Sequence, residues 1–457
     1  LTARLWEDGL ARQTEALIEV RAGGEANMAR LSSAFPAAPR EPCSLSGRLF
    51  ETRRLSLDLA GPLSAEDMTV QAMDDASPTK WHLAHTTWFF ETFVLAGHLN
   101  GYEPFDETFN FCFNSYYESH GPRQPRGKRG LLTRPSSDRI FAYRAHADAG
   151  LEKLLSGGVA TGSELARVIE VGINHEQQHQ ELMLTDILAL FAANPLRPAY
   201  LAPRPRADQG EPEPLRWIAY SGGICEIGHG GEGFAWDNEA PRHDQLIGPF
   251  RLADRLVTNA EWLAFVEDGG YRTYALWLAD GWTIVNQESW RAPLYWEERD
   301  GQWHAMSLEG MRPIDRAAPV AHVSYYEADA FARWAGHRLP TEYEWEIAVE
   351  GVEATGNTLA SGALRPLPAA SCRDGWPRQM FGDVWEWTQS AYLPYPGYRA
   401  PAGALGEYNG KFMVGQQVLR GGSCATPEGH ARATYRNFFY PHQRWQFMGL
   451  RLASEIE

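Results

Sequence analysis

The sequence predicts a two-part fold, a helical bundle followed by an α+β domain, and three observations carry that prediction. Residues 163–192 read as one long helix, and Ile169, Ile173, Leu182, Met183, Ile187 and Leu188 make it too apolar for a lone surface helix, so it belongs inside a bundle. Prolines at 195, 198, 203, 205, 212 and 214 then mark a stiff stretch that cannot continue the helix. From Trp217 onward, short apolar segments alternate with Gly-rich turns such as Gly222-Gly223 and Gly228, and few long helical patterns remain.

Taken in order, residues 1–43 form an N-terminal extension whose first 22 or so have helical composition. Residues 44–193 form the bundle. Its first amphipathic helix carries Leu49, Leu55 and Leu59 and is broken by Gly61-Pro62, and Ser64-Ala65-Glu66-Asp67 opens a short helix after it. Ser77 as N-cap and Pro78 at the first turn then start a helix that ends near Gly97. Residues 101–136 are irregular and a further helix covers 138–155, so with 163–192 the count reaches four. Residues 194–215 are the linker, and 216–457 are the second domain. Two capping boxes open helices there, Ser324 to Glu327 in a helix ending at Gly336, and Thr341 to Glu344.

The 457 residues have a net charge of -16, which disfavours nucleic acid or an anionic membrane surface as the main partner. Cys43, Cys112, Cys225, Cys372 and Cys424 are widely spaced, without a C-x-x-C, so neither a disulfide framework nor a zinc ribbon is indicated and a cytoplasmic location is expected. No apolar run reaches the roughly 18 residues of a membrane span, and no signal peptide is evident. The chain opens at Leu1, and Met28 is a candidate natural start. Its 17 Trp, 18 Tyr and 20 Phe suit a site for a flat or cationic ligand.

The chemistry centres on His175-Glu176-Gln177-Gln178-His179. Histidines four apart lie one above the other on a helix face and can share one metal ion. The same letters spell the H-E-x-x-H of zinc proteases, with Glu176 as general base, but Leu182 and Thr185 stand where the extended motif needs Gly and His. Two core histidines satisfied by hydrogen bonds are the bland alternative. A third ligand is available upstream, where His82 and His85 sit on the 77–91 helix; His85 is preferred and His82 is the spare. Arg123, Arg126, Lys128, Arg129 and Arg134 crowd the 101–136 loop, either as a carboxylate clamp or as a solvated basic loop.

Residues 77–91, 121–135, 175–181, 237–243, 257–259, 268–271, 319–348, 381–388, 420–423 and 436–452 together resemble the non-haem iron sulfoxide synthases of ergothioneine biosynthesis. These join a DinB-like four-helix bundle to a C-terminal domain of the formylglycine-generating-enzyme (sulfatase-modifying factor) type, a C-type-lectin-like fold. The resemblance implies Fe(II) held by His85, His175 and His179, and an O2-dependent reaction joining a cysteine-type thiol to the imidazole of Nα-trimethylhistidine as a sulfoxide. Three neutral imidazoles add no negative charge and leave positions open for a thiolate and O2; imidazole suits zinc, copper and nickel too, so the choice of iron comes from the family.

The resemblance also implies a tyrosine beside the iron. The adjacent Tyr116 and Tyr117 are preferred over Tyr392, Tyr395 and Tyr398 of the second domain. It implies that Gln178 bonds the substrate imidazole, or alternatively orients His179; that Asn437, Phe438 and Phe439 line the trimethylammonium pocket, with Tyr440 and Trp445 nearby; and that Arg123 and Arg126 take the carboxylate of the thiol substrate. The tyrosine pair resembles the branch that uses free cysteine rather than γ-glutamylcysteine. Formylglycine-generating activity is not expected, because Cys424 has no second cysteine nearby. The rivals are an ovothiol-type synthase or selenium-inserting relative, a zinc-dependent thiol transferase, and a lectin-like binding module.

Overall fold

The computed structural model describes residues 44–206, 210–370, 375–401 and 409–456. The N-terminal extension, with its expected helix, lies outside the described residues. The bundle is built from α1 (Leu45–Ala60), α2 (Thr79–Phe90), α3 (Ser137–Leu155) and α4 (Glu164–Ala193). Ser44, Ser136 and Ser163 cap α1, α3 and α4, each accepting a hydrogen bond from a first-turn amide. α2 differs from expectation by one residue. Pro78 is its N-cap, with extended backbone, and Ser77 instead donates its amide to Asp186 Oδ2 at 2.8 Å.

Close approach of α2 and α4 depends on Gly172: a Cβ there would stand 2.5 Å from the Phe90 ring. All twelve residues of α2 are buried, which makes it the central helix of the bundle alongside α4. The segment expected to be helical after Ser64 is only a turn, closed by the Ser64 and Asp67 side chains bonding each other's amides. With Gly61-Pro62 before it, too few residues remain to nucleate a helix. The 101–136 stretch is ordered by a one-turn helix, Phe109–Phe113, and 3-10 turns at Glu118–His120 and Arg126–Leu131.

The proline-rich stretch crosses to the second domain without acting as a free spacer. The Tyr200 hydroxyl donates to Leu59 O at 2.6 Å on the bundle side, while Leu201 N donates to Leu308 O at 2.8 Å on the other. In the second domain β1 (Trp217–Tyr220) pairs with β4 (Phe250–Ala253), which also takes the last strand, β12 (Ala453–Glu455), antiparallel. β2 (Gly223–Ile227) and β3 (His243–Ile247) form a hairpin, and β5 (Trp296–Arg299), β6 (Gln302–Ser307) and β7 (Gly310–Pro313) a meander.

The sheet that meets the bundle runs β10-β9-β8-β11, from β8 (Trp385–Ala391), β9 (Gln417–Arg420), β10 (Asn437–Phe439) and β11 (Met448–Gly449). Helices Tyr325–Trp334 and Glu342–Ala348 start at the two expected capping boxes. A third box, Thr258 with Glu261, opens Asn259–Glu267 and went unread in the sequence. The buried Glu342 carboxylate receives Arg420 and Arg436, which braces the sheet. No helix among the described residues is long and apolar enough to cross a membrane.

Candidate metal centre at the domain boundary

α2 and α4 bring His85, His175 and His179 together, with one ring nitrogen of each within 4.8 Å of the others. His85 Nε2 and His175 Nε2 are 3.1 Å apart. Imidazole bonds of about 2.1 Å to one ion place adjacent donors about 3 Å apart, so this pair suits neighbouring positions on one metal. His85 and His175 are 0% and 1% exposed, and His179, at 9%, is the most accessible of the three. Burial, with His175 nearby, holds His85 well below the usual histidine range; burial lowers His175 to about 3 and puts His179 well below the usual range as well. Neutral imidazoles with lone pairs are therefore on offer, a donor set that fits a divalent transition metal.

The rings around the triad are fixed by helical spacing. Trp81 and Trp88, four before and three after His85, stack on either face of it, with centroids at 4.7 and 5.7 Å. His85 Nδ1 donates to Phe113 O at 2.6 Å, which leaves Nε2 for a metal. His82 stands behind the triad: its Nδ1 is 2.8 Å from His179 Nδ1 and its Nε2 is 3.1 Å from Asp186 Oδ2. This makes it a partner of a candidate ligand. Burial lowers its pKa, and Arg129 and Arg126 add to that against the opposing Asp186.

Glu176 removes the protease reading. Its carboxylate turns away from the triad toward α1 and α3, where Arg53, Arg144 and Ser56 hold it, fully buried. Burial alone would raise its pKa, but Arg144 and Arg53 outweigh that and keep it ionised. A general base must reach a water on the metal, and this group is committed elsewhere.

The second domain packs against α4 beside the triad. Gln178 Nε2 donates to the Tyr435 hydroxyl at 2.7 Å, and the buried His430 joins Tyr435 at 3.2 Å to Gln177 Oε1 at 3.1 Å. Glu181 accepts hydrogen bonds from Trp385, Ser423 and Thr426 across the same seam. Tyr117 is buried against Trp88 and Phe93, and Tyr116 stacks on it at 4.8 Å. Tyr116 also meets Phe412 edge-on at 5.6 Å, and Phe412 leads to Phe438, itself stacked 4.0 Å from Tyr392. Asn437, Phe438 and Phe439 form β10, and Phe439 packs edge-on against Trp445 at 5.6 Å.

The other predicted residues are placed less centrally. Tyr392, Tyr395 and Tyr398 engage Asn238, Glu342 and Asp237 respectively through their hydroxyls. Arg123 is paired with Glu118 at 2.6 Å, and Arg126 is exposed on the same loop. The basic residue packed against the triad's aromatic shell is Arg129, 4% exposed, 3.4 Å over the Trp81 ring and bonded to Ser77 and Ser115. Burial, with Arg126 and Arg123 adding to it, lowers its pKa well below the usual arginine value.

Comparison with known proteins decides the family. Residues 206–366 and 377–456 match the sulfatase-modifying factor enzyme 1-like domain, and residues 48–183 match the DinB superfamily. The chain is 36% identical to the hercynine oxygenase of Mycobacterium tuberculosis over 83% of this chain and 91% of that protein. The chain belongs to the hercynine oxygenase family. The hercynine oxygenase of Mycolicibacterium thermoresistibile is also 36% identical, over 62% of this chain and 68% of that protein. Ergothioneine biosynthesis protein 1 of Schizosaccharomyces pombe is 28% identical over 48% of this chain and 28% of its own length.

Within this hercynine oxygenase scaffold, sequence reasoning missed Asp186, Tyr435 and His430 as neighbours of the site, and did not single Arg129 out of the basic loop. Asp186 was legible in principle: seven residues after His179, it lies on the same helical stripe. Tyr435 directly precedes the 436–452 stretch and had no spacing signal of its own. Nothing in the sequence separates Arg129 from the basic residues around it, because the difference is burial over Trp81.

Proposed function

We propose that this protein is an Fe(II)-dependent sulfoxide synthase of ergothioneine biosynthesis. It joins cysteine to C2 of the imidazole of Nα-trimethylhistidine and oxidises the sulfur, with O2 as oxidant. One C–S bond forms, the thiol and the imidazole C–H each give up a hydrogen, and the two oxygen atoms end in the sulfoxide and in water. The reading rests on the convergence of three buried neutral imidazoles on α2 and α4, where the neighbouring Gln178 meets Tyr435 of the second domain. The relatives' names, hercynine oxygenase and ergothioneine biosynthesis protein 1, point to the same pathway.

His85, His175 and His179 would hold the ferrous ion, which supplies the redox chemistry that O2 requires and a Lewis-acidic position for a thiolate. Gln178 orients the imidazole substrate from the adjoining position on α4. β10 offers Asn437, Phe438 and Phe439 to the trimethylammonium end, where ring faces attract a cation that has no N–H to donate. Arg123 and Arg126 serve the thiol substrate's carboxylate, and Arg129 of the same loop is buried over the Trp81 ring. A tyrosine of the 116–117 pair delivers a phenolic proton during oxygen activation. The pair is favoured by position, since Tyr117 packs against Trp88, which stacks on the His85 ring. Free Cys112, Cys225 and Cys424 agree with a reducing cytoplasm.

The test is the product mass from anaerobically iron-loaded protein given O2, trimethylhistidine and either cysteine or γ-glutamylcysteine. The cysteine sulfoxide adduct should dominate. Dominance of the γ-glutamyl adduct would move the enzyme to the other thiol branch, and an adduct only with unmethylated histidine would make it an ovothiol-type synthase. Turnover without O2 consumption would leave the zinc thiol-transferase reading.

A further inference from the structure

Asp186 collects three N–H groups. Its Oδ2 receives the Ser77 amide at 2.8 Å and His82 Nε2 at 3.1 Å, and its Oδ1 receives the Trp445 indole at 2.9 Å. A carboxylate only accepts, so His82 Nε2 donates to it. His82 Nδ1 faces His179 Nδ1 at 2.8 Å, and one of two facing nitrogens must donate. A neutral imidazole that presents Nε2 to a metal keeps its proton on Nδ1, so His179 is the donor and His82 Nδ1 accepts.

We propose that His82 and Asp186 form a positioning relay for His179, fixing its proton on Nδ1 so that Nε2 is presented to the metal. The inference rests on the reading of His85, His175 and His179 as metal ligands. His82 is thus not a fourth ligand held in reserve; it sets the tautomer and ring angle of a ligand. Trp445 belongs to the second domain, so docking of that domain helps hold the carboxylate that starts the relay. His85 has its own orienting acceptor in Phe113 O, which comes from the bundle itself. The two ligands are therefore oriented by different parts of the chain.

The test is Co(II) affinity of the metal-free full-length protein, read from the visible ligand-field band, for wild type, His85→Ala, His82→Phe and His82→Gln. Phe keeps an aromatic ring but has no acceptor; Gln can still accept from His179 Nδ1. We expect His82→Phe to weaken Co(II) binding about 10–100-fold and shift the band, and His82→Gln to recover most of the loss. Ring-15N spectra of the metal-free wild type should show His179 as the Nδ1–H tautomer, a readout that needs no variant to fold. Wild-type affinity in His82→Phe, equal losses in the Phe and Gln variants, or an Nε2–H tautomer would overturn the relay. If His85→Ala binds Co(II) as wild type does, the ligand assignment itself fails.

Discussion

His85 shows how much of a candidate ligand's behaviour is set by its neighbours. Trp81 and Trp88 enclose its ring, Phe113 O fixes its proton, and Nε2 is the only edge left to face His175. His85→Ala should therefore lose tightly bound iron and O2 consumption together, as read by metal analysis and an oxygen electrode. A lectin-like module would retain its function in that variant. Among the tyrosines, removing a proton donor costs about 100-fold or more in turnover, so Tyr116→Phe or Tyr117→Phe should fall by that much, while Tyr392→Phe stays within a few-fold. At this scale the sequence carried the identities of the triad through helical spacing and the family resemblance. It could not carry the roles of His82 or Arg129, because burial and the partner of a nitrogen are set by contacts 50 or more residues away, such as His179 for His82 and Ser77 for Arg129.

α4 divides its work by face. A rotation of about 100° per residue puts His175, His179 and Asp186 on one stripe, Glu176 and Gln180 on a second toward α1, and Gln177, Gln178 and Glu181 on a third toward the other domain. The 3.6-residue period was plain in the sequence, so the helix and the placing of His175 and His179 on one face of it were legible. The third face was not, since its partners Trp385, Ser423 and Tyr435 lie more than 200 residues away. Glu176→Gln separates scaffold from chemistry. Leaving Arg144 and Arg53 without their shared buried carboxylate should cost about 3–5 kcal/mol, measured by urea unfolding, whereas a protease would instead lose hydrolysis. Gly172→Ala should cost about 1–3 kcal/mol in the same assay, because the new methyl group meets Phe90.

Across the whole molecule, each domain is braced by a buried glutamate between two arginines, Glu176 with Arg53 and Arg144, and Glu342 with Arg420 and Arg436. In both, the guanidinium charges overcome burial and lower the carboxyl below its ordinary 4.5. A carboxylate whose folded pKa is depressed adds stability above its unfolded value, and that stability is lost as pH falls through the folded value. Both domains should therefore be fully braced above about pH 4.5 and melt together in acid below it, seen as one loss of circular dichroism; Glu176→Gln should flatten that slope for the bundle. The two-domain plan was legible from the proline-rich stretch and the change in periodicity. The seam was not, because it is made by side chains crossing between domains. The central claim is that one ferrous ion sits on that seam, and an iron-edge anomalous difference map from anaerobically loaded crystals tests it most directly. The account predicts a single peak bonded to His85, His175 and His179, with its open side toward β10. A peak elsewhere, or one lacking any of these three imidazoles, would contradict it.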